Sequence, residues 1–314
     1  MRRCLCCYRP LSDGETDYHA KCAQRFFQSK TIPSLPYIRA DINKLAKVVV
    51  QSRTTVTGVQ SKLSVDIEHD SNGNAQRLTI VGVMGRYILK PQTELFTALP
   101  EMEDLTMHLA EIAHIATVPH ALIRFADGEL NYIIRRIDRT QDGRKIAMED
   151  MCQLAERQTE QKYQGSYELV ASLIMRYSSM PKLDLVNYWE QVLFSWIVGN
   201  ADMHLKNFSL IAETPGRYRL SPTYDQVSTA IVMPEDTEEL AMTLQGFKKK
   251  LMDFDFRHAM ESTGVDEKVI QRILLRFQPF KEKWFMYIDQ SFVTDEQKEQ
   301  FKKLIDERLA RLKG

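Results

Sequence analysis

The 314-residue chain is 44% hydrophobic, long and apolar enough to build two lobes or two small domains with cores of their own. Lysine plus arginine and aspartate plus glutamate both number 42, so the formal net charge is zero and no chain-wide basic field exists to hold a nucleic acid directly. No apolar run reaches the roughly 18 to 20 residues of a membrane span, and the start MRRCLCCYRP lacks the apolar core of a secretory signal, so a globular, cytoplasmic protein without membrane contact is expected.

Residues 1–50 read as a Cys-containing segment packed on the lobe that follows. Cys4, Cys6, Cys7, Cys22 and Cys152 are an odd set with four members near the N-terminus, a poor disulfide framework for so long a chain. Cys4-x-x-Cys7 and His19-x-x-Cys22 offer three thiols and an imidazole, which suit either a tetrahedral zinc knuckle or a cluster of small buried side chains; Cys6 blurs the spacing, and both readings stay open. Pro33 and Pro36 break the chain, and Tyr37 to Val50 predicts an amphipathic helix or a helix running into a strand. Residues 51–66, rich in Ser and Thr around Gly58, predict a loop entering a strand.

Asn72-Gly73-Asn74 is a hairpin signal, so Leu63–Ile67 and Leu78–Val83 are expected to pair, with a further strand at Tyr87–Lys90 ended by Pro91. Leu105, Leu109, Ile112 and Ala116 recur at helical spacing over 101–116, with acids in the first turn. Two strands, Ala121–Phe125 and Leu130–Ile134, flank the turn signal Asp127-Gly128. Beyond them the pattern turns helical, at Tyr167–Tyr177, Leu183–Val198, Phe254–Ser262, Glu267–Phe277, Pro279–Asp289 and Asp295–Leu312. The fold class is α+β: a protein-kinase-like two-lobed fold, with a β-rich N-lobe carrying one helix at 51–140 and a helical C-lobe at 141–314.

The densest polar stretch, Gly199 to Leu210, lies between an apolar helix and a short strand at Phe208–Ala212. Asp202 and Asn207 stand five residues apart, the spacing at which a kinase catalytic loop places an Asp that orients the substrate hydroxyl and an Asn that binds metal. Lys90 ends a strand, where an ammonium can meet phosphates, and the next helix offers Glu103 and Glu111 as ion-pair partners. Asp225, in Ser221-Pro222-Thr223-Tyr224-Asp225, supplies a second acidic ligand; with Asp202 and Asn207 it makes an oxygen set suited to Mg²⁺. Taken singly each has an ordinary surface or turn role; order and spacing together carry the reading. His204 and Asn200 are read as residues that hold the loop in shape.

Asn200-Ala201-Asp202-Met203-His204-Leu205-Lys206-Asn207-Phe208-Ser209 resembles the catalytic loop of the HipA toxin kinases, bacterial serine/threonine kinases of toxin-antitoxin modules. Thr57 to Lys62 resembles their phosphate-binding loop, Tyr87 to Pro91 their nucleotide-lysine strand, Leu99 to Glu103 the start of their helix, Arg135 to Arg139 their adenine hinge, Met148 to Gln153 the segment after it, and Tyr224-Asp225 their metal-binding Asp. The likeness runs from about residue 52 to the chain end. It implies ATP and Mg²⁺ as cofactors, Asp202 as the catalytic residue, and Asn207 and Asp225 as metal ligands. Nucleotide contacts are implied for Lys90, Thr57, Gly58, Val59, Gln60, Ser61, Arg135, Ile137, Asp138, His204 and Lys206, with autophosphorylation at Thr55 or Thr57, where the family carries serine. The brief N-terminal segment is similar to the short HipT form, which implies a small HipS-like and a DNA-binding HipB-like antitoxin partner. The implied protein substrate is an aminoacyl-tRNA synthetase, tryptophanyl ahead of glutamyl. Two other readings fit parts of the pattern: a small-molecule phosphotransferase, and a nucleotide-binding partner in a repressor complex.

Overall fold

The structure, a computed structural model, describes residues 2–41, 62–71, 73–81 and 84–312. It divides into two units: residues 1–104, 118–144 and 290–292 form the first, and residues 105–117, 145–289 and 293–314 the second. The loop residues Thr55, Thr57, Gly58, Val59, Gln60 and Ser61 and most of the expected 37–50 helix lie outside the described residues.

The first unit is organised on an antiparallel sheet of five strands: β1 (Leu63–His69), β2 (Ala75–Ile80), β3 (Tyr87–Lys90), β4 (His120–Arg124) and β5 (Leu130–Arg135), in the order β2-β1-β3-β5-β4. Leu63, Val65 and Ile67 of β1 are buried while Ser64, Asp66 and Glu68 alternate on the other face, the period of two that a half-covered strand requires. The first hairpin aligns Val65 with Ile80 and Ile67 with Leu78. The second turns at Gly128, whose φ of +88° a side chain would resist, and aligns Leu122 with Tyr132. In β4 the run His120–Ile123 is buried without alternation, so both its faces are covered.

The free edge of β4 is met by the N-terminal segment. The Leu5 carbonyl accepts from Leu122 N–H at 3.0 Å, and Tyr18 donates its phenol to the Leu122 carbonyl. A helix the sequence pattern does not announce, α1 (Ala20–Phe27), sets Phe26 and Phe27 against Tyr87, with ring centroids 5.9 and 6.3 Å apart. At eight residues, with no side-chain cap at His19, it depends on this packing more than on propensity.

Helix α2 (Leu99–Ile112) starts two residues before the expected position and stops four before Ala116. His114 takes φ +58°, and Ile115 N–H closes back on the Ala110 carbonyl at 3.0 Å, a left-handed stop of the Schellman kind. Asp104 of this helix is fully buried in the first unit, where it accepts from Tyr8 Oη at 2.8 Å and pairs with His120 Nδ1 at 2.6 Å.

The second unit is mainly helical. Helices α4 (Tyr167–Tyr177), α5 (Pro181–Ile197), α7 (Asp253–Ser262), α8 (Glu267–Leu275), α9 (Lys281–Gln290) and α10 (Asp295–Arg311) fall within about two residues of the predicted bounds. Short helices α3 (Met151–Leu154) and α6 (Thr229–Val232) complete the described set. The core runs along α5, where Tyr188, Trp189, Phe194 and Trp196 are all fully buried. Beside it lies a three-stranded antiparallel sheet of β6 (Met148–Asp150), β7 (Ser209–Thr214) and β8 (Arg217–Leu220), ordered β6-β7-β8. The three-residue β6 carries no period to read; it is a strand because Glu149 pairs with Leu210.

Tyr8→Phe should lower the free energy of unfolding by about 1–3 kcal/mol, because it leaves the buried Asp104 carboxylate one donor short. Urea unfolding of the two proteins measures this; equal midpoints would mean that the phenol is not needed there.

Candidate functional site

In the second unit, helix α5 ends at Gly199, which has φ +70° and no room for a side chain: a Cβ would stand 2.6 Å from Leu304 Cδ2 and 2.9 Å from Ala230 Cβ. The chain turns there into the polar stretch, and Asn200 governs its shape. Its Oδ1 accepts the Asp202 N–H at 3.1 Å while its Nδ2 donates to the Asp225 carbonyl at 3.2 Å and to Gln226 Oε1 at 3.1 Å. One fully buried amide thus holds the Asp202 loop and the Asp225 segment in register. Thr229 adds a second tie, accepting from Ala201 N–H at 2.8 Å and donating to the Gly199 carbonyl at 3.1 Å.

Around Asp202 every main-chain direction is fixed. Its carbonyl accepts from His204 N–H at 2.9 Å and from Asn207 Nδ2 at 2.8 Å, so the Asn side chain ties back to the residue five positions before it. Its carboxylate Oδ1 accepts the Tyr163 phenol at 2.6 Å. Asp225 adopts φ +55°, a left-handed conformation that Asp tolerates better than most side chains. The preceding Tyr224 anchors this segment through contacts with Ser209 Oγ at 2.5 Å and the Lys206 carbonyl at 3.1 Å. Asp202 and Asp225 keep partial exposure, while Asn207 is buried.

His204 sits in the loop by packing rather than by a ring hydrogen bond to the described residues. The ring is buried, lies edge-on to Tyr163 at 5.0 Å, and its Nδ1 has no hydrogen-bond partner among the described residues. Burial pushes its pKa down to about 4, so it is neutral near pH 7, and any nucleotide contact would come from an uncharged ring. Lys206 is engaged by Asp150 at 2.9 Å, at the end of β6.

In the first unit, Lys90 is 3% exposed and ion-paired with Glu103 Oε1, with its ammonium 5.4 Å from the Tyr132 ring centroid. Of the two partners the sequence offered, the fold selects Glu103; Glu111 instead meets His108 at 2.9 Å. Arg135 and Arg136 give their N–H groups to the Pro119 and Arg86 carbonyls at 2.9 and 2.8 Å. The Arg135 side chain reaches the Arg25 carbonyl at 3.3 Å. Arg136 grips Asp138 through two bonds of 2.8 and 2.7 Å, and Arg139 adds a third at 2.6 Å. Burial pushes the Asp138 carboxyl up, but the Arg136 hydrogen bond and both guanidinium charges outweigh it and hold the carboxyl below its usual range. Arg135, Arg136 and Ile137 border a pocket of about 280 Å³ with Arg86, Tyr87 and Pro119, slightly under the roughly 300–1,000 Å³ of ordinary ligand sites.

Residues 54–284 match the HipA-like C-terminal domain. The chain belongs to that family. This HipA-like chain is 26% identical over 326 residues to a Haemophilus influenzae protein named "Putative kinase", covering 93% of this chain and 92% of that one. It is 28% identical to "Putative kinase Y4dM" of Sinorhizobium fredii, covering 69% of this chain and spanning only 56% of that relative. Among solved structures, HipA of the Shewanella oneidensis MR-1 complex of HipA, HipB and operator DNA superposes with a TM-score of 0.68 at 20% identity, over 88% of this chain and 71% of that one. The Helicobacter pylori proinflammatory kinase CtkA gives 0.55 at 16% identity, over 79% of this chain and 93% of that one. These likenesses show a kinase-like fold, as the sequence predicts.

Sequence reasoning passed over Tyr163, which is 39 residues from Asp202 and carries no motif. It also passed over Glu101, whose Oε2 has no partner among the described residues. Burial pushes this carboxyl up to about 7, and the nearby Asp104 charge adds to the rise. A raised carboxyl favours the folded state fully below its unfolded value, and that contribution is lost as pH rises through about 7. Glu101→Gln should therefore gain stability over the parent between pH 5 and pH 8, by up to about 3 kcal/mol. Thermal unfolding at both pH values measures the gain, and parallel curves would refute it.

Proposed function

We propose that this chain is an ATP- and Mg²⁺-dependent serine/threonine protein kinase that acts as a toxin. The observation that carries the reading is the Asn200 amide, which joins the Asp202–Asn207 loop to the Asp225 segment and so fixes three oxygen-bearing side chains as one assembly. The buried Lys90–Glu103 pair is the arrangement that orients a phosphate-binding lysine in kinases.

The roles follow from chemistry. The substrate hydroxyl oxygen forms a bond to the γ-phosphorus, the bond from that phosphorus to the ADP oxygen breaks, and the hydroxyl proton passes to the Asp202 carboxylate. Tyr163 keeps that carboxylate turned to one rotamer. Asn207 and Asp225 hold Mg²⁺, which when bound neutralises phosphate charge. Lys90 would bind the phosphates, and Thr57 to Ser61, which lie outside the described residues, are assigned to the phosphate-binding loop by the family resemblance alone. Phosphorylation of Thr55 or Thr57 would add roughly two negative charges next to the nucleotide's own and displace the loop, switching the enzyme off.

For the target we favour a hydroxyl on an aminoacyl-tRNA synthetase, tryptophanyl before glutamyl, so that translation and growth stop. The solved HipA–HipB–operator assembly supports a DNA-binding antitoxin as partner, and the family resemblance adds a small HipS-like protein as a second one.

Asp202→Asn should lower phosphorylation of protein by at least about 10³-fold and abolish growth arrest, with an unchanged fold by circular dichroism. Incubation with γ-labelled ATP and cell lysate measures it: a labelled protein band that needs Asp202 supports the reading, whereas full labelling by Asp202→Asn, or turnover only with a small alcohol, defeats it. Tyr163→Phe should lower kcat by about 3–30-fold with little change in the KM for ATP, the signature of a positioning residue. Steady-state kinetics on the purified variant distinguish this from a binding defect.

A further inference from the structure

The first 27 residues converge on a cluster that the kinase reading does not use. The sulfurs of Cys4, Cys7 and Cys22 and a ring nitrogen of His19 all lie within 4.8 Å of one another. His19 Nδ1 stands 3.4 Å from Cys7 Sγ and 3.8 Å from Cys22 Sγ. A tetrahedral zinc with Zn–S near 2.3 Å and Zn–N near 2.0–2.1 Å puts neighbouring ligand atoms about 3.6 Å apart, so these spacings already match a metal-centred group.

Three further features point the same way. The other ring nitrogen, Nε2, faces the Pro10 carbonyl at 3.0 Å, with a Glu15 carboxylate oxygen at 3.9 Å, which places the proton on Nε2 and leaves the Nδ1 lone pair toward the thiols. The turn that presents Cys4 and Cys7 ends at Tyr8 with φ +58°, and Tyr8 N–H returns to the Cys4 carbonyl at 2.9 Å, a tight knuckle closed in a conformation that ordinarily favours glycine. Cys22 arrives on the first turn of α1, directly after His19 at its N-cap. All the thiols are free, and a disulfide would use two of the three sulfurs and leave the imidazole without a reason to face them. Cys6 is not in the group; its buried sulfur lies 3.9 Å from an Arg25 nitrogen.

We infer that Cys4, Cys7, His19 and Cys22 bind one structural zinc ion. Four protein ligands close the coordination sphere, so the metal has no open position for chemistry. It staples the N-terminal turn to α1. Tyr8, the residue after Cys7, donates to Asp104, so the knuckle is tied to the helix that carries Glu103. The inference stands apart from the proposed kinase activity, because its readout is metal content.

The full-length protein, purified without chelator, should carry about one zinc per chain by elemental analysis and native mass spectrometry. Reconstitution with Co²⁺ should give the thiolate-to-cobalt absorption of a tetrahedral sulfur-rich site. Cys7→Ser and Cys22→Ser should each drop bound zinc to less than about a tenth of an equivalent, while Cys6→Ser keeps it. Unmodified protein with less than about a tenth of an equivalent and no cobalt band overturns the inference, as does a native mass two hydrogens short, which signals a disulfide. Loss of metal from Cys6→Ser with retention in Cys7→Ser overturns the ligand assignment. The wild-type measurements need no variant to fold.

Discussion

The second unit depends on one side-chain amide. Asn200 is buried beyond the reach of water, so both its donor and its acceptor must be used, and it uses them on the Asp202 N–H, the Asp225 carbonyl and the Gln226 side-chain oxygen, groups from two separated stretches. An Asp at this position has no donor for the Asp225 carbonyl, and a Leu has neither function. The loop that follows cannot drift, because moving Asp202 breaks bonds that also position Asp225. Gly199 makes this possible by turning the chain in a space that holds no Cβ.

The first unit solves a different problem, the burial of charge. Lys90, Glu103, Asp104 and His120 are all nearly or fully removed from solvent, and a lone charge there would be strongly penalised. Each has a polar partner: Lys90 is ion-paired with Glu103, and the Asp104 carboxylate contacts His120 Nδ1. Such pairs add little net stability over apolar packing, whereas removing one member leaves the other buried without its partner. The same unit contains a cluster with the opposite character, three soft sulfurs and an imidazole, a donor set suited to a soft metal ion rather than to an ion pair.

Placing the candidate residues also separates their duties. Asp202, Asn207 and Asp225 offer oxygen atoms, whereas Lys206 is held by Asp150, Asp138 by two arginines, and Arg135 by a carbonyl of α1. Those three engaged groups shape the elements on which they sit. His204, neutral and packed against Tyr163, has a ring Nδ1 with no partner among the described residues.

By itself the sequence determined what local patterns encode. Helix α4 runs over Tyr167–Tyr177 as its apolar spacing predicts, and the hairpin signalled by Asp127-Gly128 forms with Gly128 at the positive φ its turn needs. These features are written within a few residues, where periodicity and backbone propensity act. Only the tertiary structure decided which glutamate pairs with Lys90, that Tyr163 steadies Asp202 across 39 positions, and that a three-residue stretch at 148–150 becomes a strand. It also brought Cys4, Cys7, His19 and Cys22 together while setting Cys6 aside, a choice that spacing alone left open. The reason is physical: contacts between distant residues are selected by the packing of the whole unit, and no single segment carries the free energy that chooses them.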